Sequence, residues 1–277
     1  MHIKRWLTAI VAIPVLIFLI GFSPRPIFYS VLCLFSLTGL NEYYRLSVPD
    51  LPMFVKLGTY LLVIVLFATL LSRQILLTMG ILPFIALFPM ICYLFSDPLK
   101  GESLSSDIAK ALFGPFYVCL PMALLIPVDL YPAGRIIFSG YSLQGLWIFF
   151  LLAVIFAGDT GAFYSGKIFG KHKLYESVSP KKTWEGAVGG LIFSVFTGFI
   201  FLKLIPFHPA GPGIMAAVFV IAAAGQIGDL AESMLKRNHN VKDSGALLPG
   251  HGGILDRIDS LLFAIPVLYI YLQMAIR

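Results

Sequence analysis

Runs of about twenty apolar residues, separated by short polar stretches, repeat along almost the whole chain. A bilayer's hydrocarbon core is roughly 30 Å thick and a helix rises about 1.5 Å per residue, so each run is long enough to cross it. The pattern predicts about nine spans, near 7–22, 27–43, 54–71, 75–95, 108–128, 143–164, 186–205, 213–231 and 258–276. Pro14, Pro83, Pro89, Pro115, Pro121 and Pro266 lie inside them. Such prolines would break soluble helices, but neighbouring helices in a bundle can satisfy the freed carbonyls. An open sheet is excluded at this depth, and a barrel would show alternating polarity. The expectation is an all-α, polytopic integral membrane bundle forming a single domain over 1–277. In it, 1–156 is mainly scaffold and 157–277 carries the chemistry on two cytoplasmic loops.

Composition agrees: 58% of the 277 residues are hydrophobic and 12% charged, against about a quarter charged in soluble domains. With the N-terminus inside, alternating nine spans leaves only Arg25, Arg73, Arg135, Lys203 and Arg277 outside. The remaining Lys and Arg fall inside, as cytoplasmic loops prefer, so the net charge of +6 is mainly a topology signal. His2, Lys4 and Arg5 precede an apolar run as in a signal peptide, but no cleavage pattern follows and a retained first span is expected. Cys33, Cys92 and Cys119 are far apart inside apolar runs and read as small core residues.

Charge in the first half is scattered, and Glu42, Arg45, Asp50, Asp97, Lys100, Glu102 and Asp107 read as solvated loop ends. In the second half, polar residues gather into two connections, 158–185 and 229–257. In the first, Asp159 stands between Gly158 and Thr160-Gly161, where a ligand can approach closely, or it is a helix-end carboxylate facing water. Gly161 to Lys167 spells G-x-x-x-x-G-K, but Ile168 replaces the Ser or Thr that a phosphate-binding loop needs and no strand precedes it. Ser179, Lys181, Lys182 and Thr183 could capture phosphate, or the lysines could simply anchor the span. Gly186 and Gly190 form a small-x-x-x-small face suited to close helix packing.

In the second connection, a helix over 228–237 would put Asp229, Glu232, Ser233 and Lys236 on one face. The Glu232–Lys236 pair reads equally as a surface salt bridge; Asp229 ends a long apolar run and would be costly unpaired. Pro249-Gly250-His251-Gly252-Gly253 is a tight turn whose amides could face an anion. Asp256 and Asp259, three apart, suit a hard divalent cation, and Arg257 between them offers a guanidinium fork to phosphate. A helix-start charge cluster would also explain the last three.

S-x-x-K-R-x-x-x-x-K-D (Ser233 to Asp243) followed by P-G-H-G-G-x-x-D-R-x-D (Pro249 to Asp259) resembles the signature of the phosphatidate cytidylyltransferases, or CDP-diacylglycerol synthases. Asp159-Thr160-Gly161, Phe169 to Lys173 and Ser179 to Gly186 are similar to a second loop of that family. The likeness covers about the last 120 residues. It implies that phosphatidic acid and CTP give CDP-diacylglycerol and pyrophosphate with magnesium, in a homodimer of the bacterial inner membrane.

On that basis Asp229, Asp256 and Asp259 are the expected metal ligands, for one or two divalent ions, with a monovalent ion as a further candidate. Lys236, Arg237, Lys242 and Arg257 would bind phosphates, and Lys181 and Lys182 the lipid phosphate. Asp159, Ser179, Asp243, His251, Gly252 and Gly253 complete the expected substrate contacts. Two other readings stay open: a CTP-dependent kinase of a lipid alcohol, and an ion-coupled transporter using intramembrane carboxylates.

Overall fold

The computed structural model describes residues 13–96, 103–133, 136–138, 141–247 and 252–275. The first predicted span lies partly outside these residues, as does His251; residues 13–21 are helical. Ten further helices follow: α1 (Arg25–Ser47), α2 (Met53–Leu71), α3 (Ile75–Ser96), α4 (Ser103–Gly114), α5 (Leu120–Ala123), α6 (Leu125–Asp129), α7 (Leu146–Phe169), α8 (Trp184–Leu204), α9 (Pro212–Asn238) and α10 (Leu255–Ala275). Two short antiparallel hairpins interrupt them, β1 (Ile136–Phe138) with β2 (Tyr141–Leu143), and β3 (Lys173–Tyr175) with β4 (Ser179–Thr183). The protein is an all-α, multi-pass membrane bundle.

Among the described residues seven segments are long and apolar enough to cross a membrane, with Leu104–Asp129 counting as one. The helix predicted near 27–43 forms as α1, but it is not among the seven because polar residues crowd its C-terminal end. Exposed apolar side chains such as Leu76, 88% accessible on α3, suit hydrocarbon surroundings, where no burial drives them inward.

The chain divides into two compact units. One comprises Arg25–Pro127 and Asp243–Asp256. Its core is aromatic: Tyr43 and Tyr44 are buried, and their hydroxyls donate to Lys110 O (3.1 Å) and Ala111 O (2.9 Å). Between α4 and α5, Pro115–Cys119 forms a buried π turn in which Leu120 N–H reaches back to Pro115 O. The wide turn relieves the clash that the Pro121 ring would make with the carbonyl four residues earlier.

The other unit comprises Met1–Pro24, Val128–Lys242 and Arg257–Arg277. Trp147 and Phe150 are buried there, with Phe207 stacked edge-on against both rings. Helices α7 and α8 pack at close range because glycines face each other. A Cβ on Gly190 would sit 2.9 Å from Gly158 O and 3.0 Å from Ala162 Cβ, and one on Gly186 2.9 Å from Ala162 O. Ser194 Oγ donates to Val154 O (2.8 Å) across the same interface. The G-x-x-x-x-G-K stretch is helical, with Gly161 and Gly166 facing α8, and is no phosphate-binding loop.

Candidate active site

Hydropathy ends the predicted spans at 164 and 231, but α7 continues to Phe169 and α9 to Asn238. The long connections expected at 158–185 and 229–257 shrink to 170–183 and 239–254. Ala231, Glu232, Met234, Leu235, Lys236 and Arg237 are good helix formers, so α9 outlasts its apolar run. Helix α9 has 27 residues, or about 40 Å. Pro212 starts it where a missing N–H costs nothing, and Lys236 and Arg237 in its last turn suit the negative helix end. Glu232 and Lys236 ride on this polar extension, and Asp229 stands just before it.

Strand β4 runs directly into α8. Thr183 caps the helix, accepting from Gly186 N–H at 3.1 Å, and Glu185 lies in the first turn. Glu185 also holds the hairpin down: its Oε1 is 2.6 Å from His172 Nδ1 and 3.2 Å from the His172 amide. Lys173 Nζ donates to Pro180 O (2.6 Å) within the hairpin. This frame presents Lys182, whose ammonium lies 2.6 Å from Asp229 Oδ2. Ser179 and the exposed Lys181 belong to the same strand.

Helices α9 and α10 meet beneath this pair. A Cβ on Gly228 would stand 2.5 Å from Asp259 O, so only glycine permits the approach. Asp259 is half-buried, its Oδ1 accepting Ser260 N–H (2.7 Å), and it feels Asp229 and Asp159 as like charges and Lys236 as the opposite one. Asp159, on α7, is exposed and feels Asp229 and Lys182. Lys236 pairs with Glu232, which is fully buried. The surface salt bridge that the spacing allowed is thus an interior ion pair, where removal of one partner would strand the other charge.

Four carboxylates (Asp159, Asp229, Glu232 and Asp259) therefore share one unit with two ammonium groups (Lys182 and Lys236). Carboxylates outnumber ammonium groups in this cluster, and carboxylate oxygens are the donors that a hard divalent cation prefers. Among the described residues, no group of three or more His, Cys, Asp or Glu side chains is placed to hold a metal ion. Magnesium does not need such a group, since it takes one or two carboxylates and fills its shell with water and phosphate oxygens. The donor set fits such an ion held jointly with a phosphorylated ligand.

The remaining candidates fall elsewhere. Arg237 is exposed and donates to Val178 O and Val241 O, both at 3.4 Å. Lys242, Asp243 and Arg257 are exposed. In the other unit, Asp256 Oδ2 accepts Ser244 N–H (2.9 Å), Ser244 Oγ–H (3.0 Å) and Gly253 N–H (2.8 Å). The Gly253 amide, expected to face an anion, is spent inside the loop on a carboxylate. Gly252 takes a left-handed backbone (φ 81°), which its missing Cβ makes easy.

The sequence reading missed Glu42. It is buried, not a solvated loop end, and its oxygens accept Ile254 N–H (3.0 Å) and Leu255 N–H (2.8 Å). The available signal was its position inside an apolar run, where an ionisable residue marks a specific partner.

Fold and site define a multi-pass membrane protein that gathers carboxylates and ammonium groups from several helices and a hairpin. The particular family follows from comparison: residues 3–275 match the model of the cytidylyltransferase family, and the chain belongs to it. It is 46% identical over 130 residues to a phosphatidate cytidylyltransferase of Staphylococcus saprophyticus, covering 47% of this chain and 50% of that one. It is 44% identical over 128 residues to the Bacillus subtilis protein of the same name, covering 46% and 48%. The chain thus spans about half the length of the curated relatives it matches.

Proposed function

We propose that this protein transfers the cytidylyl group of CTP to phosphatidic acid, giving CDP-diacylglycerol and pyrophosphate. The observation that carries the reading is the Lys182–Asp229 pair beside Asp259 and Asp159, a cation for phosphate set among carboxylates for a divalent ion. Family membership supports it, as do the relatives' names.

A phosphatidate oxygen, already anionic near neutral pH, attacks the α-phosphorus of CTP. The bond from that phosphorus to the bridging oxygen breaks, and pyrophosphate leaves with the electron pair. No general base is required, so positioning and charge stabilisation carry the catalysis. Lys182, with Lys181 beside it, receives the lipid phosphate, while Lys236, Arg237, Lys242 and Arg257 counter the triphosphate charge. Asp229 and Asp259 would hold magnesium, one or two ions; the third expected ligand, Asp256, rests on its spacing from Asp259 and on the resemblance. When bound, the ion neutralises the triphosphate and stabilises the departing pyrophosphate. Asp159, Ser179, Asp243, Gly252 and Gly253 stay in the reading as substrate contacts. The reading extends to a homodimer in the bacterial inner membrane with the N-terminus and both loops cytoplasmic, an orientation that the skewed Lys and Arg distribution supports.

The test uses purified protein, phosphatidic acid, magnesium and CTP labelled at the α- or the γ-phosphorus. Label should enter lipid from the α-position only, with one pyrophosphate per lipid, and CTP should outperform the other nucleoside triphosphates. Entry of γ-label would instead identify a lipid kinase.

A further inference from the structure

We propose that Glu42 is a positioning residue for the reaction: a buried carboxylate that fixes where α10 begins and so sets the turn carrying Asp256, Arg257 and Asp259. The kinetic half of the inference rests on the cytidylyl-transfer reading; the structural half stands on geometry.

The first amides of a helix lack intrahelical acceptors. A Ser, Thr, Asp or Asn just upstream normally supplies one, but Gly252-Gly253-Ile254 precede α10 and offer no side-chain oxygen. The acceptor arrives from 212 and 213 positions away: Glu42 Oε1 takes Ile254 N–H and Oε2 takes Leu255 N–H. Its negative charge also suits the positive helix end. Ser244 Oγ lies 3.2 Å from Glu42 Oε2 and 3.0 Å from Asp256 Oδ2. A hydroxyl has one proton, so it serves one carboxylate at a time, and the amides of Ser244, Gly253, Ile254 and Leu255 carry the rest.

The arrangement leaves no room for alternatives. A Cβ on Gly245 would stand 2.5 Å from Glu42 Oε1, and one on Gly253 would collide with Oε2. Glu42 is only 6% exposed, so water cannot replace the amides it holds. Asp256 is the second residue of α10 and Asp259 lies one turn beyond it, so the start that Glu42 dictates is inherited by both carboxylates.

Amide hydrogen exchange and steady-state kinetics on the full-length protein in detergent test this, with Glu42→Gln and the milder Glu42→Asp. The Gln amide sets a donor against one of the two backbone donors. Exchange at Ile254 and Leu255 should quicken while the middle of α10 stays protected. The kcat should fall about 10- to 100-fold, the scale of a misplaced catalytic group, with KM for phosphatidic acid unchanged and part of kcat restored by Asp. Unchanged exchange in Glu42→Gln overturns the brace. Faster exchange with kcat intact, or activity falling only in proportion to folded protein in both variants, overturns the positioning role. A wild-type protein inactive with every nucleotide sinks the cytidylyl reading and the kinetic half together, while the exchange arm still decides the brace.

Discussion

Substituting Gly190 by Ala measures how tightly α7 and α8 are joined. The new methyl would lie 2.9 Å from the carbonyl oxygen of Gly158, 3.0 Å from Ala162 Cβ and 2.7 Å from Gln226 Nε2. The Gln226 amide already donates to Ala187 O at 3.0 Å, and a helix carbonyl cannot rotate away. Ordinary contact begins near 3.4 Å, so α8 must retreat by about 0.5 Å, well within the range where packing energy is lost. Overpacking of this kind costs about 1–3 kcal/mol. Alanine also gains about 1 kcal/mol over glycine in helix propensity, which Gly80→Ala isolates, because nothing lies within 4 Å of a Cβ there. Subtracting the two variants cancels propensity and leaves the steric cost, a difference in Tm on the order of 5 °C for a protein of this size. Thermal unfolding in detergent, followed by the monodisperse fraction remaining, reads it. If both variants melt together, the close approach of the two helices is wrong.

Two further outcomes follow from the site and one from the α7–α8 interface. Lys182→Met should lower turnover at least 100-fold with KM for phosphatidic acid raised, yet leave Tm almost unmoved, since a pair this exposed is worth about 0–1 kcal/mol after screening; loss of folded protein instead would make Lys182 structural. Asp259→Asn and Asp256→Asn should each abolish magnesium-dependent synthesis in protein that still elutes as a folded species. Near-normal synthesis by either would remove that residue from the metal set. Ser194→Ala deletes one interhelical hydrogen bond and should cost about 0.6 kcal/mol, the average for such bonds in a membrane bundle. A much larger loss would mean that Ser194 does more than bond Val154.

The membrane class was legible because apolar run length is a direct reading of bilayer thickness. Helix length was not: hydropathy ends at 164 and 231, while α7 runs to Phe169 and α9 to Asn238, carrying Glu232 and Lys236. The grouping of Asp229 with Lys182 and Asp259 could not be read from spacing, because it depends on α9 and α10 meeting at Gly228 and on a hairpin presenting Lys182. Local arguments fared well where a motif is its own context, as at Gly186 and Gly190. They failed at Glu42, whose partners are more than 200 residues away, and at Glu232, where an i,i+4 spacing looks the same on a surface or in an interior.

The π turn at Pro115–Cys119 means that this transmembrane segment carries one residue more than an unbroken α-helix would need. Each residue advances a helix by about 100°, so every side chain from Leu120 onward is phased ahead by that angle. Deleting a single position within the turn should keep the downstream faces in register, at the cost of restoring the clash of the Pro121 ring with the preceding turn, whereas the same deletion in α8 would rotate its glycines away from α7. The wide turn is thus where this segment could lose a residue with its downstream faces kept in phase.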